Sequence, residues 1–210
     1  MFATMIRRSQ ALSLAAGLVA WSLLPVRRGP VIQAALATGL AVLTEAPLGL
    51  RPPALWTGLR MGAAAGATVV LGVAGSTALP SVRRAMAERT PPAAPVAWLV
   101  FQIPVGTVWS EEIAYRGALA TLAAAGFGRR QGRLVQAAAF GLSHIADARA
   151  TGEPVIGTVL VTGAAGWVFA LLAERSGSVT AAMLAHLAVN EAGAAAALAV
   201  QSRRGGVHGH

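Results

Sequence analysis

The sequence contains no cysteine and no lysine, and charged residues make up only 12% of its 210 residues. Without cysteine, the chain cannot form a disulfide, a thiolate zinc site or a cysteine nucleophile. Soluble domains carry about a quarter charged residues, so the composition argues against a water-exposed globular protein. A disordered chain needs low hydrophobicity, yet 55% of these residues are hydrophobic. The composition therefore indicates a membrane protein.

The apolar segments indicate helices and not a membrane barrel. They are continuous and rich in Ala, Leu, Val and Gly, whereas barrel strands alternate apolar and polar residues. The mean hydropathy is +0.61. We predict an all-α, polytopic transmembrane bundle of about seven spanning helices (six to eight), forming one domain over residues 1–210, with short loops at 47–57, 81–94, 123–130 and 148–153. The predicted spans are residues 9–25, 30–46, 58–80, 93–122, 131–147, 154–173 and 178–200.

All 17 non-histidine basic side chains are arginine, and the formal net charge is +9. In a soluble protein this charge would suggest nucleic-acid binding. Here the arginines flank the apolar runs, as anchors at a membrane–water interface do. We therefore expect membrane lipid as a partner and no nucleic acid. The two sets of loops carry equal arginine counts, so orientation stays open. The arginine pairs are Arg7-Arg8, Arg27-Arg28, Arg83-Arg84, Arg129-Arg130 and Arg203-Arg204.

Two patterns are interpreted as structural. Gly58, Gly62 and Gly66 recur every four residues and would line one helix face, where small residues let helices approach closely. His208 and His210 end a tail rich in arginine and glycine, and we predict no role for them.

The first polar cluster in an apolar run is Ser110 to Gly117. Glu112 and Arg116 are spaced i, i+4, so they meet on a helix and can neutralise each other. Glu111 projects about 100° away from Glu112 and is left without that arginine. A desolvated carboxylate can act as a general base. The alternative is that the cluster simply marks a membrane–water interface.

Two further clusters contain histidine. His144 lies one helical turn after Phe140, and Asp147 at i+3 is placed to orient its ring. His186 and Asn190 are spaced i, i+4 and share a helix face. The structural alternatives are a packed core histidine for His144 and a helix–helix hydrogen bond for His186 and Asn190.

Taken together, the clusters supply the parts for attack of water on an amide carbonyl. Glu111 is a base, His144 a second water-orienting group, and His186 and Asn190 are hydrogen-bond donors for an oxyanion. Ionisable groups cost about 2.5–3.5 kcal/mol each in a membrane, so three such clusters in separate helices favour a site over accident.

Three motifs in this order resemble the signature of the CPBP (CAAX protease and bacteriocin-processing) intramembrane protease family, which includes type II CAAX prenyl endopeptidases and bacterial bacteriocin-processing and immunity proteins. They are Glu111-Glu112-x-x-x-Arg116-Gly117, Phe140-x-x-x-His144 and His186-x-x-x-Asn190. The resemblance covers about residues 95–195 and implies a four-helix catalytic core there, with residues 1–90 adding N-terminal membrane helices.

The resemblance also implies a role for each motif residue. Water would be activated by Glu111 and His144, the oxyanion bound by His186 and Asn190, and the site supported by Glu112, Arg116 and Phe140. The family has been described both as metalloprotease and as metal-free glutamate protease. Glu111, His144 and His186 would suffice to hold one zinc with an open water position, but no HExxH motif is present. We expect no obligatory metal, with a divalent metal such as zinc as the alternative.

The function expected from this resemblance is that of an intramembrane endopeptidase acting on a membrane-associated or lipidated peptide, including a CAAX-type prenylated one. We expect a multi-pass protein of a bacterial cell membrane. Three alternatives stay open: a non-catalytic family member with an immunity, scaffold or regulatory role; a bis-histidine haem protein using His144 and His186; and a proton-coupled transporter with a Glu/His relay.

Overall fold

The computed structural model describes residues 2–24, 29–90 and 92–205. Every regular element in these ranges is helical, which confirms the all-α prediction. Arg27, Arg28, His208 and His210 lie outside the described residues, as do the side chains of Arg203 and Arg204. The helices are α1 (Phe2–Leu23), α2 (Pro30–Leu43), α3 (Ala54–Ser76), α4 (Pro80–Glu88), α5 (Pro95–Ala97 with the π-helical stretches Trp98–Trp109 and Glu112–Leu119), α6 (Ala120–Ser143), α7 (Ile145–Thr151), α8 (Val155–Ser176) and α9 (Val179–Gly205).

Three of the described helices are long and apolar enough to cross a membrane: Ala54–Ser76, Val155–Ser176 and Val179–Ser202. Helix α2 is apolar but shorter. Large apolar side chains on the outside of the bundle are exposed; Leu71 is 72% exposed and Ile156 is 77% exposed. An outer surface of this kind fits lipid and not water. These features confirm the prediction of an all-helical transmembrane bundle, with three helices of spanning length and apolarity among the described residues.

The predicted span at 93–122 is mostly π-helix. Pro104 lies inside the first π-helical stretch, and proline removes a backbone donor and clashes with the preceding turn of an α-helix. The wider π-helical turn is common at functional sites. The hydroxyl of Ser110 donates to the carbonyl of Val105, 2.9 Å away, five residues earlier. Sequence periodicity did not predict this geometry.

The predicted loop at 123–130 is too long, because the structure interrupts the helix at Gly128 alone. The chain stays helical from Ala120 to Ser143 except at Gly128, whose φ of 80° is open chiefly to glycine. The two halves of α6 then approach so closely that a Cβ on Gly132 would lie 2.7 Å from the carbonyl carbon of Ala123. A single glycine therefore reverses the chain where a loop of eight residues was expected.

Two other predicted loops contain short helices. Helix α4 occupies part of 81–94 and begins with Pro80, whose fixed φ suits the first helical position. Helix α7 runs into 148–153 and ends at Gly152 in the left-handed conformation, with φ 72°. These helices fall in polar segments too short for the periodicity that located the spans.

Helix α3 packs on α9 through the predicted glycine face. Gly58, Gly62 and Gly66 are all buried. A Cβ on Gly62 would lie 2.9 Å from Cα of Ala181 and 2.9 Å from Cβ of Leu184. The packing role predicted for these glycines is confirmed, because a side chain at this contact would push the two helices apart.

We predict that Gly62→Leu lowers the free energy of unfolding by about 1–3 kcal/mol, because it overpacks the contact between α3 and α9. Thermal unfolding of the detergent-purified protein measures the loss. Gly72→Leu is the matched control, since Gly72 lies on the same helix and a Cβ added there would meet nothing within 4 Å. Equal losses in the two variants would contradict the packing role.

Candidate active site

The site is built around Glu112, in the second π-helical stretch, where every residue from Glu112 to Leu119 is buried. Its Oε1 atom lies 3.1 Å from Nη1 of Arg116 and accepts a hydrogen bond from Nδ1 of His186 at 2.7 Å. The side chains of Glu112 and Arg116 are both 0% exposed. The ion pair inferred from the i, i+4 spacing is present, and it includes a histidine from α9.

Aromatic rings enclose the guanidinium of Arg116. Its Cζ lies 4.1 Å from the ring centroid of Phe140 and 5.1 Å from that of Phe169. Phe169 also stacks on the ring of His186, with centroids 5.0 Å apart and planes at 22°. Cation–π contacts gain strength when the cation is desolvated. Phe140 therefore packs beside the site as expected, and Phe169 completes the enclosure from α8.

Glu111 and Glu112 lie near opposite nitrogens of the same imidazole. Oε2 of Glu111 is 3.9 Å from Nε2 of His186, and Oε1 of Glu112 is 2.7 Å from Nδ1 of the same ring. The Glu111 side chain is 29% exposed, against 0% for Glu112. The two adjacent carboxylates thus have the different surroundings that the sequence predicted, although both reach His186.

His144 lies where α6 ends, and the helix end fixes its ring. The backbone N–H of His144 donates to the carbonyl of Gly141, so the carbonyl of Phe140 lacks its usual i+4 partner. Nδ1 of His144 lies 2.8 Å from that oxygen. A carbonyl only accepts, so Nδ1 is the nitrogen that carries the proton. In the neutral ring, Nε2 is then the basic nitrogen.

Asp147 does not orient this ring, contrary to expectation. Among the described residues, the hydrogen-bond partners of the His144 ring are Phe140 and Ser143, and Asp147 is exposed on α7. Asn190 follows His186 on the same face of α9, and its amide donates to the carbonyl of His186 over 3.3 Å. This hydrogen bond stays within α9, so Asn190 is close to His186 but directed along its own helix.

Glu111 and His144 share the wall of one cavity of about 600 Å³. Small-molecule sites commonly occupy about 300–1,000 Å³. His186 is set back from this cavity behind Glu111. Ser110, Tyr115, Ser143 and Asp147 add polar groups to the same end. The N-terminal helices form the apolar wall, with Leu14, Leu18 and Trp21 from α1 and Leu36, Leu40 and Leu43 from α2.

The arrangement does not fit a three-ligand metal site. Within the part of the chain that the structure describes, no three His, Asp or Glu side chains are grouped so that they could hold a metal ion. Glu111 and His186 approach each other to 3.9 Å, but His144 does not join them.

Sequence reasoning missed two residues. Phe169 lies in a uniformly apolar run, so nothing marks it in the sequence. Gln136 is 0% exposed in α6, one turn before Phe140. A lone amide in an apolar run is a signal that could have found it.

We predict that Arg116→Ala destabilises the protein by about 3–5 kcal/mol and lowers its folded yield, because Glu112 would remain buried without its cation. Size-exclusion yield and thermal unfolding in detergent measure this. Arg133→Ala is the control: Arg133 pairs with Glu174 at 2.8 Å, but the two side chains are 15% and 26% exposed. The loss there should be smaller.

A double variant separates charge from shape. Glu112→Gln with Arg116→Met removes both charges and keeps an acceptor for His186, so folded yield should recover. Failure to recover would show that the ion pair is not the cause.

Residues 92–192 match the family model described as type II CAAX prenyl endopeptidase Rce1-like. The match covers the three motifs and leaves helices α1 to α4 outside. No curated protein and no solved structure matched the chain. Residues 92–192, just under half of the chain, are therefore similar to the Rce1-like, type II CAAX prenyl endopeptidase family, which supports the resemblance to CPBP membrane proteins that the three motifs carry.

Proposed function

We propose that the protein is an intramembrane endopeptidase that hydrolyses a peptide bond in a membrane-associated or lipidated peptide. The observation that carries this proposal is the shared cavity: the Glu111 carboxylate and the His144 ring lie in one wall, and apolar helices form the other. A hydrolytic site needs polar groups for water, and a lipidated peptide needs an apolar surface beside them.

In the proposed reaction, Glu111 removes a proton from a water molecule positioned between its carboxylate and Nε2 of His144. The water oxygen attacks the peptide carbonyl carbon, and the carbonyl oxygen becomes an oxyanion. Collapse of the tetrahedral intermediate breaks the C–N bond, and the proton held by Glu111 passes to the leaving amine. The hydroxyl proton of the intermediate leaves with the products, which are a carboxylate and a protonated amine, and Glu111 returns to its carboxylate form.

The oxyanion donors in this proposal are His186 and Asn190. Nδ1–H of His186 donates to Glu112, so Nε2 faces Glu111 and the cavity end, and in this proposal Nε2–H donates to the oxyanion from the imidazolium form of His186. Asn190 becomes a donor when its amide leaves the carbonyl of His186, a hydrogen bond that is long at 3.3 Å. Donors of this type stabilise charge that develops only in the transition state.

The proposal includes metal-independent water activation, with a multi-pass arrangement in a bacterial cell membrane. The support is geometric: His144 and His186 each use Nδ1 on a protein acceptor, and among the described residues no three His, Asp or Glu side chains are grouped as a metal-ion site. The same geometry disfavours a bis-histidine haem, because both nitrogens of His186 face carboxylates. The non-catalytic alternative is separated by the following test.

We predict that Glu111→Gln lowers the cleavage rate by about 10²–10⁴, the usual contribution of a general base, while the protein stays folded. A panel of prenylated and unmodified hydrophobic peptides in liposomes, read by mass spectrometry, measures it. Glu153→Gln is the control, because Glu153 is a surface partner of Arg89. The panel is repeated with a chelator.

Cleavage that survives Glu111→Gln would refute this mechanism. Cleavage that a chelator abolishes would instead support a metal enzyme. A wild-type protein that cleaves none of the peptides but binds them would favour the non-catalytic alternative.

We predict a separate effect for Asn190→Ala: a fall in kcat of about 10²–10³ with KM little changed, as for one lost oxyanion donor. Asn190→Asp tests the charge, since a carboxylate cannot donate and should not rescue the rate. A rise in KM at constant kcat would place Asn190 in substrate binding and not in the oxyanion site.

A further inference from the structure

A second cavity, of about 350 Å³, lies between α5, α6, α8 and the start of α9. Arg116 forms part of its wall, whereas Glu111 lies in the wall of the first cavity. Of these two cavities, the second is the one whose wall includes a member of the buried Glu112–Arg116 ion pair. Nothing in the proposed reaction uses the second one.

Gln136, in the wall of this cavity, has a side-chain amide without hydrogen-bond partners. Its side chain is 0% exposed, and neither its amide nitrogen nor its amide oxygen has a hydrogen-bond partner in the protein. Nε of Arg116, also in the wall, lacks one too. Unpaired buried polar groups are costly, so these atoms favour a ligand that offers acceptors to the nitrogens and a donor to the Gln136 oxygen.

The charges around the cavity favour an anion. Arg116 is paired with Glu112, and Arg133 is held by both oxygens of Glu174 at 2.9 and 2.8 Å. Arg129 lies at the exposed rim, and no carboxylate among the described residues is within ion-pair distance of it. Arg129 is therefore the wall arginine whose charge has no carboxylate partner among the described residues.

The first turn of α9 does not supply the anion's donors. The N–H of Val179 donates to Leu48, and that of Thr180 donates to the hydroxyl of Ser178. Recognition would fall to side chains: Arg129 at the rim, and Gln136 and Arg116 at the inner end.

We propose that this cavity binds a phosphate group that carries a neighbouring hydroxyl, as in the headgroup of an anionic glycerophospholipid. The phosphate oxygens accept from Arg129 and from the Gln136 amide nitrogen, and the hydroxyl donates to the Gln136 oxygen. The rim lies at the end of α8 and the start of α9, and the sequence neighbours of rim residues Arg129 and Glu174 are the exposed Arg130 and Arg175, so apolar helices give way to arginines here. Headgroup phosphates lie at such a boundary. This inference is independent of the proposed proteolysis.

The test is thermal unfolding of the full chain in detergent, titrated with phosphatidylglycerol, phosphatidylcholine or inorganic phosphate. A ligand that binds only the folded protein raises the unfolding midpoint with its concentration. We expect phosphatidylglycerol to raise the midpoint and phosphatidylcholine not to. If inorganic phosphate raises the midpoint as much as phosphatidylglycerol does, the ligand is a free anion. If phosphatidylglycerol raises the midpoint and inorganic phosphate does not, the ligand is the lipid headgroup.

Matched variants locate the effect. Arg129→Ala should weaken the apparent affinity for phosphatidylglycerol about tenfold, the loss of one charge-assisted hydrogen bond. Arg130→Ala should not, since Arg130 is the exposed neighbour outside the cavity wall. Gln136→Leu should raise the midpoint without lipid, because it removes an unpaired buried amide, and should reduce the lipid response.

Three results would overturn the site. Equal stabilisation by the two lipids would remove the anion requirement. Equal losses in Arg129→Ala and Arg130→Ala would indicate surface charge alone. A Gln136→Leu protein that keeps the full lipid response would show that the inner end of the cavity is not used.

Discussion

Glu112 is the residue on which the arrangement of α5, α6, α8 and α9 depends. One of its oxygens serves both the guanidinium of Arg116 and the imidazole of His186. Charges withdrawn from water are tolerated only when their partners are held in place. The partners here come from α5 and α9, and rings from α6 and α8 close over the arginine. Four helices are thus fixed by one buried carboxylate.

This anchoring leaves the neighbouring carboxylate free for another task. Glu111 follows the same backbone, but it faces a cavity and has partial access to solvent. Two like side chains that are adjacent in sequence thereby have different surroundings: one is fully buried in an ion pair and the other borders a cavity. The N-terminal helices, which lie outside the family match, complete the apolar side of that cavity. They contribute to the site without contributing a motif residue.

The sequence predicts the helical class and the buried charges well, because both depend on local composition and on i, i+4 spacing. The pairing of Glu112 with Arg116 is of this kind. The contact of His186 with Glu112 joins residues 74 positions apart, and Phe169 lies in a run without polar residues. Neither has a local signal. The π-helical geometry and the reversal at Gly128 were missed because a search for spanning runs assumes regular helices.

The end of α6 has a consequence for how the site can fail. The ring of His144 is aligned by the carbonyl of Phe140, which has no backbone donor from His144 because the helix stops at Ser143, and which also accepts from the Ser143 hydroxyl at 2.8 Å. If the helix were to continue by one residue, the backbone N–H of His144 would reclaim that oxygen and the imidazole would lose its alignment. The carbonyl oxygen of Phe140 can thus accept from the helix backbone or from the ring of His144, and the two donors compete for it. Substitutions near residue 144 that favour a longer helix would thus change the orientation of the His144 ring although they leave the histidine itself in place.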